Sequence, residues 1–374
     1  MARRAAIIRP PFSQYFIVIR GIGGLQANHA ADIFRNRYGD CKDKTTLLIS
    51  MLQAVGIQAF YVPVDDRRGV VDPDDPSFAG NHMITAIEIP AGVNDQRLRA
   101  IVTAANGIRY LIFDPTDERT PVGNLRSDLQ GSYGILSAGA NSQVIQLPVL
   151  PPDANGITRT GTFTLASDGS LTGSVDALHS GPEGAELRTL LKYSDEKEQH
   201  DYLEQTVAHD VPGVSISSLV INQPSELSKP IEFRYTITAP GYSHTAGPLL
   251  LVRPRVVGSD TIAFDDKPRT IPIDLGATGH WHDSSDIALP PGYTVDELPD
   301  PTNIDLDFAS YHSSFKSNGN SIHYERDYTV RKIEIPASRA ADFHNFESTV
   351  LMDERGTAVL KKTGAAQQSS GASM

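Results

Sequence analysis

Arg37-Tyr38-Gly39-Asp40-Cys41-Lys42-Asp43-Lys44 sets the only cysteine of this chain at the head of an apolar helix. Over residues 42–55 apolar side chains recur at Leu47, Leu48, Met51, Leu52 and Val55, which predicts one buried helical face, and Gly56 supplies the stop. Cys41 therefore falls at the helix N-terminus. Unpaired backbone N–H groups and the positive end of the helix dipole favour a thiolate there. Lys42 and Lys44 add positive charge, and Asp40 and Asp43 oppose it. Taken by itself, a lone cysteine also reads as a small buried hydrophobe.

Two further signals follow in an order that a thiol triad could use. Asn81-His82 ends a Pro/Asp-rich loop, Asp72-Pro73-Asp74-Asp75-Pro76, and opens the strand-like run Met83-Ile84-Thr85-Ala86-Ile87-Glu88-Ile89. Arg109-Tyr110-Leu111-Ile112-Phe113-Asp114-Pro115-Thr116 is a strand that closes on an acid. His82 is then the base that takes the thiol proton, and Asp114 holds the imidazole in the useful tautomer. Singly, each has a plainer reading: an ordinary histidine at a loop–strand junction, and Asp-Pro as turn chemistry.

Together, the helix-borne cysteine, strand-borne histidine and strand-end aspartate resemble the transglutaminase-like superfamily of papain-like thiol enzymes, whose chain order is Cys, His, Asp. Gly-Asp-Cys-Lys-Asp-Lys with its Leu-rich helix and Gly-Ile, then Asn-His, then Phe-Asp-Pro-Thr, is similar to bacterial members that carry a β-rich domain of unknown function ahead of this core. The resemblance spans residues 15–136. It implies Cys41 as nucleophile, His82 as general base and Asp114 as orienting acid. Related thiol enzymes use an upstream Gln or Trp beside the cysteine N–H to hold the oxyanion. Gln14 and Gln26 are the upstream glutamines, and Gln26 is the candidate, because Gly21-Ile22-Gly23-Gly24 lets it swing near. Those glycines are not a dinucleotide fingerprint, since no βαβ unit with a downstream acid follows them.

The implied fold is α+β: a papain-like, transglutaminase-like core with the cysteine helix packed on an antiparallel sheet, followed by a mostly antiparallel β region, a sandwich. Only forty residues precede Cys41, so the core is expected to be truncated at its N-terminus. Met1-Ala2-Arg3-Arg4 and the short apolar run after it, cut by Pro10-Pro11, do not make a signal peptide. The family points to the periplasm or cell envelope, and this N-terminus alone to the cytoplasm.

At 374 residues and 40% hydrophobic content the chain is long enough for two or three buried cores. A formal charge of −12 without a basic cluster excludes a nucleic-acid surface, and no apolar run approaches a membrane span. One cysteine permits no internal disulfide, so it does not report the redox compartment. The expected organisation is a core over residues 1–140, a Pro-marked linker over 141–155, a β-rich domain over 156–362 and a disordered Ser/Gly/Gln tail over 363–374.

In the second half Thr160-Gly161-Thr162-Phe163-Thr164-Leu165-Ala166, the turn Ser167-Asp168-Gly169-Ser170 and residues 171–178 read as a hairpin. Residues 308–315 and 321–330, joined by Ser317-Asn318-Gly319-Asn320, read as another. Helices are expected over 184–193 and 195–209, and after Pro336 with Phe343, Phe346 and Val350 inward. On a strand, His280-Trp281-His282 would put both imidazoles on one face with Asp283 or Asp286 near, a geometry compatible with zinc. No further His or Cys stands at ligand spacing, so the reading is a solvated edge with a packed tryptophan. Asp65, Asp66, Asp72, Asp74 and Asp75 fail calcium-loop spacing. No metal and no cofactor is expected.

The function that follows is a thiol enzyme acting on amide bonds of a protein or peptide, with a cysteine protease or amidase favoured over protein cross-linking because water needs no acceptor site. The alternative is a non-catalytic protein- or peptide-binding module at the cell envelope, or an inactive fragment. The sequence carries no signal for oligomeric state.

Overall fold

The computed structural model describes residues 26–66, 80–223, 225–258 and 269–363. Gln14, the glycines at 21–24, the acidic loop at 72–76 and the tail beyond Thr363 lie outside the described residues. Two helices come first, α1 (Ala30–Asn36) and α2 (Cys41–Ala54). They are followed by strands β1 (Ala59–Val64), β2 (His82–Glu88), β3 (Ile101–Thr103), β4 (Arg109–Phe113), β5 (Tyr133–Leu136) and β6 (Gln143–Gln146). These six strands form one antiparallel sheet in the order β3-β4-β2-β1-β5-β6. Its apolar side buries Val62, Val64, Ile84, Ala86, Ile112 and Leu136 in one cluster. Residues 141–155 include β6, which pairs with β5.

The chain then enters β7 (Gly156–Leu165), β8 (Leu171–Ser180), helices α3 (Gly181–Lys192) and α4 (Glu196–Asp210), β9 (Ser215–Asn222), β10 (Ile231–Ala239), β11 (His244–Ala246), β12 (Leu249–Val252) and β13 (Ile273–Asp274). It continues through β14 (Gly279–Ala288), β15 (Tyr293–Glu297), β16 (Asn303–Asp305), β17 (Ala309–Ser317), β18 (Ser321–Val330), β19 (Glu334–Ile335), helix α5 (Ala340–Glu354) and β20 (Ala358–Lys362). Eight of these strands form one sheet, β16-β17-β18-β14-β7-β8-β10-β9, antiparallel except where β14 runs parallel to β7. Strand β10 alternates buried and polar positions, with Ile231, Phe233, Tyr235 and Ile237 inward, as a half-solvated strand requires. Helices α3 and α4 supply Leu187, Leu191, Leu203 and Val207 to the core beneath it. Helix α5 packs Phe343, Phe346 and Val350 against Trp281, Tyr311 and Tyr328.

This architecture corrects the expected fold class. Strands take up 38% of the described residues and helices 23%, and the large sheet is strongly curved into a nearly closed, barrel-like form. Among the described residues no papain-like α+β core stands out, and no two-sheet sandwich follows it. The β7–β14 pairing joins residues more than a hundred positions apart, and closure of this kind leaves no trace in a local hydrophobic pattern.

The buried face of α2 differs from the expected one as well. The helix buries Asp43, Thr45 and Ile49, while Met51 and Val55 are exposed. Thr45 can face inward because its Oγ1 donates to the Met83 carbonyl at 3.1 Å, so the buried hydroxyl is satisfied. Thr46 reaches the Tyr61 hydroxyl at 3.0 Å. The helix is thus fastened across β1 and β2 by side-chain hydrogen bonds in addition to the burial of Ile49.

Candidate functional site

The head of α2 is built around a reciprocal cap. The Asp40 carboxylate accepts from the Asp43 N–H, and the Asp43 carboxylate accepts from the Asp40 N–H, both at 3.3 Å. Asp43 does more than cap: its two oxygens also take the Asn28 backbone N–H at 2.8 Å and the Asn28 amide at 3.2 Å. The segment entering α1 is thereby tied to the first turn of α2. Gly39 is required at this junction, because a Cβ there would stand 2.5 Å from the Asp43 Cβ. Cys41 occupies the first helical position and is half-buried. Lys42 pairs with Asp40, so its charge is taken up at the cap instead of being directed at the sulfur.

His82 opens β2, opposite Val64 of β1. Gly80, two residues earlier, lies so close to β1 that a Cβ would meet the Val64 carbonyl oxygen at 2.9 Å. Asn81 between them receives the Asp66 N–H on its Oδ1 at 3.0 Å and donates to Asp66 Oδ1 at 2.8 Å. This lock and the Thr45–Met83 bond hold the start of β2 against α2. Asp114 follows the last residue of β4, which pairs with β2 through Phe113 opposite Thr85.

Those elements bring Cys41, His82 and Asp114 together. His82 Nε2 lies 2.9 Å from Asp114 Oδ2, and Cys41 is near enough to act on the charge of the ring. With Nε2 committed to the carboxylate, Nδ1 is the nitrogen left for the sulfur. The two side chains of the His–Asp pair are 12% and 4% exposed. Burial opposes charge on the ring, but the hydrogen bonds and charges of Asp114 and Cys41 outweigh it and raise the His82 pKa from 6.5 to about 9. Burial likewise opposes ionisation of Asp114. The bonds from His82 and Thr116 nonetheless hold its carboxyl below the ordinary carboxylate range.

Asp114 is saturated with donors. Its Oδ1 accepts from the Thr116 N–H at 2.8 Å and the Thr116 hydroxyl at 2.6 Å, and Arg126 Nη1 reaches Oδ2 at 3.1 Å. Arg126 also pairs with Asp128. Sequence reasoning missed Asp43, Thr45, Thr116 and Arg126. Thr116 was findable as the third residue of Asp-Pro-Thr, where a side-chain turn is expected, and Asp43 as the third residue after the Asp40 cap. Nothing at a fixed spacing marks Arg126. Gln26 is exposed, two residues before the anchored Asn28, and among the described residues no hydrogen bond joins it to Cys41 or His82. A small cavity lined by Phe113, Asp114, Asp117, Leu125 and Arg126 reaches the acid and not the sulfur.

Residues 249–360, from β12 to β20, match a domain of unknown function with a solved structure, DUF3858. Among solved structures, one from Parabacteroides distasonis ATCC 8503, described as a "putative protease", is similar over 90% of this chain at 11% identity and a TM-score of 0.42. The chain spans 47% of that protein's length. No curated protein matches the chain.

Proposed function

We propose that the chain carries a thiol enzyme site of transglutaminase-like type, in which Cys41 attacks amide carbonyls, His82 moves the proton and Asp114 orients the ring. The observation that supports this reading is the buried His82–Asp114 pair, its carboxylate also held by Thr116 and Arg126, with the half-buried Cys41 acting on the same ring. A strongly held imidazolium next to a sulfur at a helix N-terminus is the setting in which a thiolate is stabilised near neutral pH.

The steps follow from the protonation states. The Cys41 sulfur adds to the amide carbon, and the developing oxyanion takes the Cys41 backbone N–H. Gln26, two residues before the Asn28 that Asp43 holds, is the proposed second donor. His82 gives its Nδ1 proton to the leaving amine, the C–N bond breaks and a thioester remains. Water then attacks the thioester carbon while His82 takes its proton, and the acid and the free thiolate separate. An amine in place of water would give cross-linking. Hydrolysis is favoured, because water requires no acceptor subsite, and the reading is therefore a cysteine protease or amidase acting on protein or peptide amides.

Alkylation of Cys41 by iodoacetamide tests this, run from pH 5 to 9 on the wild-type chain and on His82→Ala. The expectation is that at pH 6 the wild type reacts at least about tenfold faster than His82→Ala, the difference closing above the ordinary thiol range near 8.5. Equal rates across that range would remove the activated pair and the catalytic reading with it.

A further inference from the structure

The geometry points to a second site in the other sheet: a divalent transition-metal site on the solvent face of β14 and β18, formed by His280, His282, Asp327 and Glu325. Sequence spacing alone put the two imidazoles on one face and offered Asp283 or Asp286 as the oxygen ligand. The sheet supplies different ones. Asp283 points inward, 3% exposed, and is bound by Arg326 and Arg159. Asp286 pairs with His323 at 3.0 Å. The register sets His282 directly opposite Asp327 and Ser284 opposite Glu325, so both carboxylates come from a strand more than forty residues downstream.

Convergence of the ligand atoms is the main argument. His280 Nε2 lies 2.7 Å and His282 Nδ1 3.0 Å from the same oxygen, Asp327 Oδ1. His282 gives an ion only one of its nitrogens: Nδ1 is the one beside Asp327 and Nε2 stands 3.9 Å from Glu325 Oε1, and one ligand atom each from His282, Glu325 and Asp327 falls within 4.8 Å of the others. Ligands at about 2.0–2.1 Å around a tetrahedral ion stand about 3.4 Å apart, so ordinary side-chain rotations close the set. Two imidazole nitrogens with two carboxylate oxygens suit zinc, cobalt or nickel better than calcium or magnesium. Charge agrees: among the described residues neither Glu325 nor Asp327 has a Lys or Arg partner, and two carboxylates balance one divalent cation. The support is rigid, since β14 and β18 both lie inside the eight-stranded sheet. On the opposite face Trp281 packs on Tyr328, 5.6 Å between ring centres, which holds the two strands in register under the ligands.

Cobalt(II) titration of the full chain carrying Cys41→Ser tests the site, the substitution removing the competing thiol. Binding is read by calorimetry and by the visible absorption of a tetrahedral cobalt centre. The expected result is one ion per chain, weakened at least about tenfold by His282→Gln and by Asp327→Asn and unchanged by His323→Gln, with circular dichroism matching among variants. Zinc should displace the cobalt. No saturable binding, or binding that His282→Gln and Asp327→Asn leave intact, overturns the proposal.

Discussion

Replacing Asp114 by Asn should flatten a pH dependence that the wild-type chain carries in its stability. A proton held more tightly by the folded chain than by the unfolded one favours folding for as long as it is bound. His82 has its pKa raised from 6.5 to about 9, so its contribution is present in full below pH 6.5 and fades as the pH climbs to about 9. At about 1.4 kcal/mol per pH unit, that interval amounts to about 3 kcal/mol. The side chain is 12% exposed, so solvent screening removes little of it. In Asp114→Asn the carboxylate's hydrogen bond and charge are gone, and burial, the largest single influence on the ring, pulls the other way. Urea unfolding at pH 6.5, 8 and 9.5 should therefore show the wild type losing about 3 kcal/mol and the variant far less. Titration of the His82 ring protons by NMR, assigned by their disappearance in His82→Gln, reads the same quantity directly. A wild-type His82 that titrates at or below 6.5, or equal losses of stability in the two chains, would refute the reasoning.

Two further substitutions probe the scaffold. Arg326→Met should cost about 3–5 kcal/mol in urea unfolding, because the guanidinium is fully buried between Asp283 at 2.7 Å and Glu354 at 2.6 Å and its removal takes a charge partner from two buried carboxylates. Gly39→Ala should cost about 1–3 kcal/mol and slow Cys41 alkylation, since the new Cβ displaces Asp43 from the head of α2; alkylation at the wild-type rate would show that the cap does not position the sulfur.

Local signals in the sequence located the elements well and the architecture poorly. Gly56 and the apolar spacing before it placed α2 within a residue of its true ends. The turn at Ser317-Asn318-Gly319-Asn320 placed the β17–β18 hairpin, and Phe343, Phe346 and Val350 marked the buried side of α5. Each of these depends on neighbours within about ten residues. The overall class depended on pairings such as β7 with β14, for which no short-range pattern exists. The face of α2 was misjudged for another reason. Periodicity ranks side chains by apolarity, and it counted Met51 and Val55 as inward while Thr45, satisfied by the Met83 carbonyl, takes the buried position. The His82–Asp114 pair could be anticipated because each residue ends or begins a strand, whereas Arg126 lies in a loop with no pattern to announce it.

The two candidate centres share their side-chain chemistry and differ in how it is arranged. In the first, one nitrogen of a single imidazole is committed to a carboxylate already filled by other donors, and the cysteine interacts with the same ring. In the proposed enzyme this ring moves a proton. Thr116 and Arg126 occupy the remaining lone pairs of Asp114, which leaves the acid no capacity for an ion. In the second, two imidazoles bond one carboxylate oxygen and a second carboxylate stands beside them, so ligand atoms of His282, Glu325 and Asp327 cluster together. Asp327 makes no bond to Lys or Arg there and is partly open to solvent, and an ion can replace the two donated protons. Excess zinc can coordinate the Cys41 sulfur alone, whereas among the described residues the cluster of candidate ligands is the one at His282. The ratio of metal lost on Cys41→Ser to metal lost on His282→Gln therefore separates a proton relay from a metal centre within the same chain.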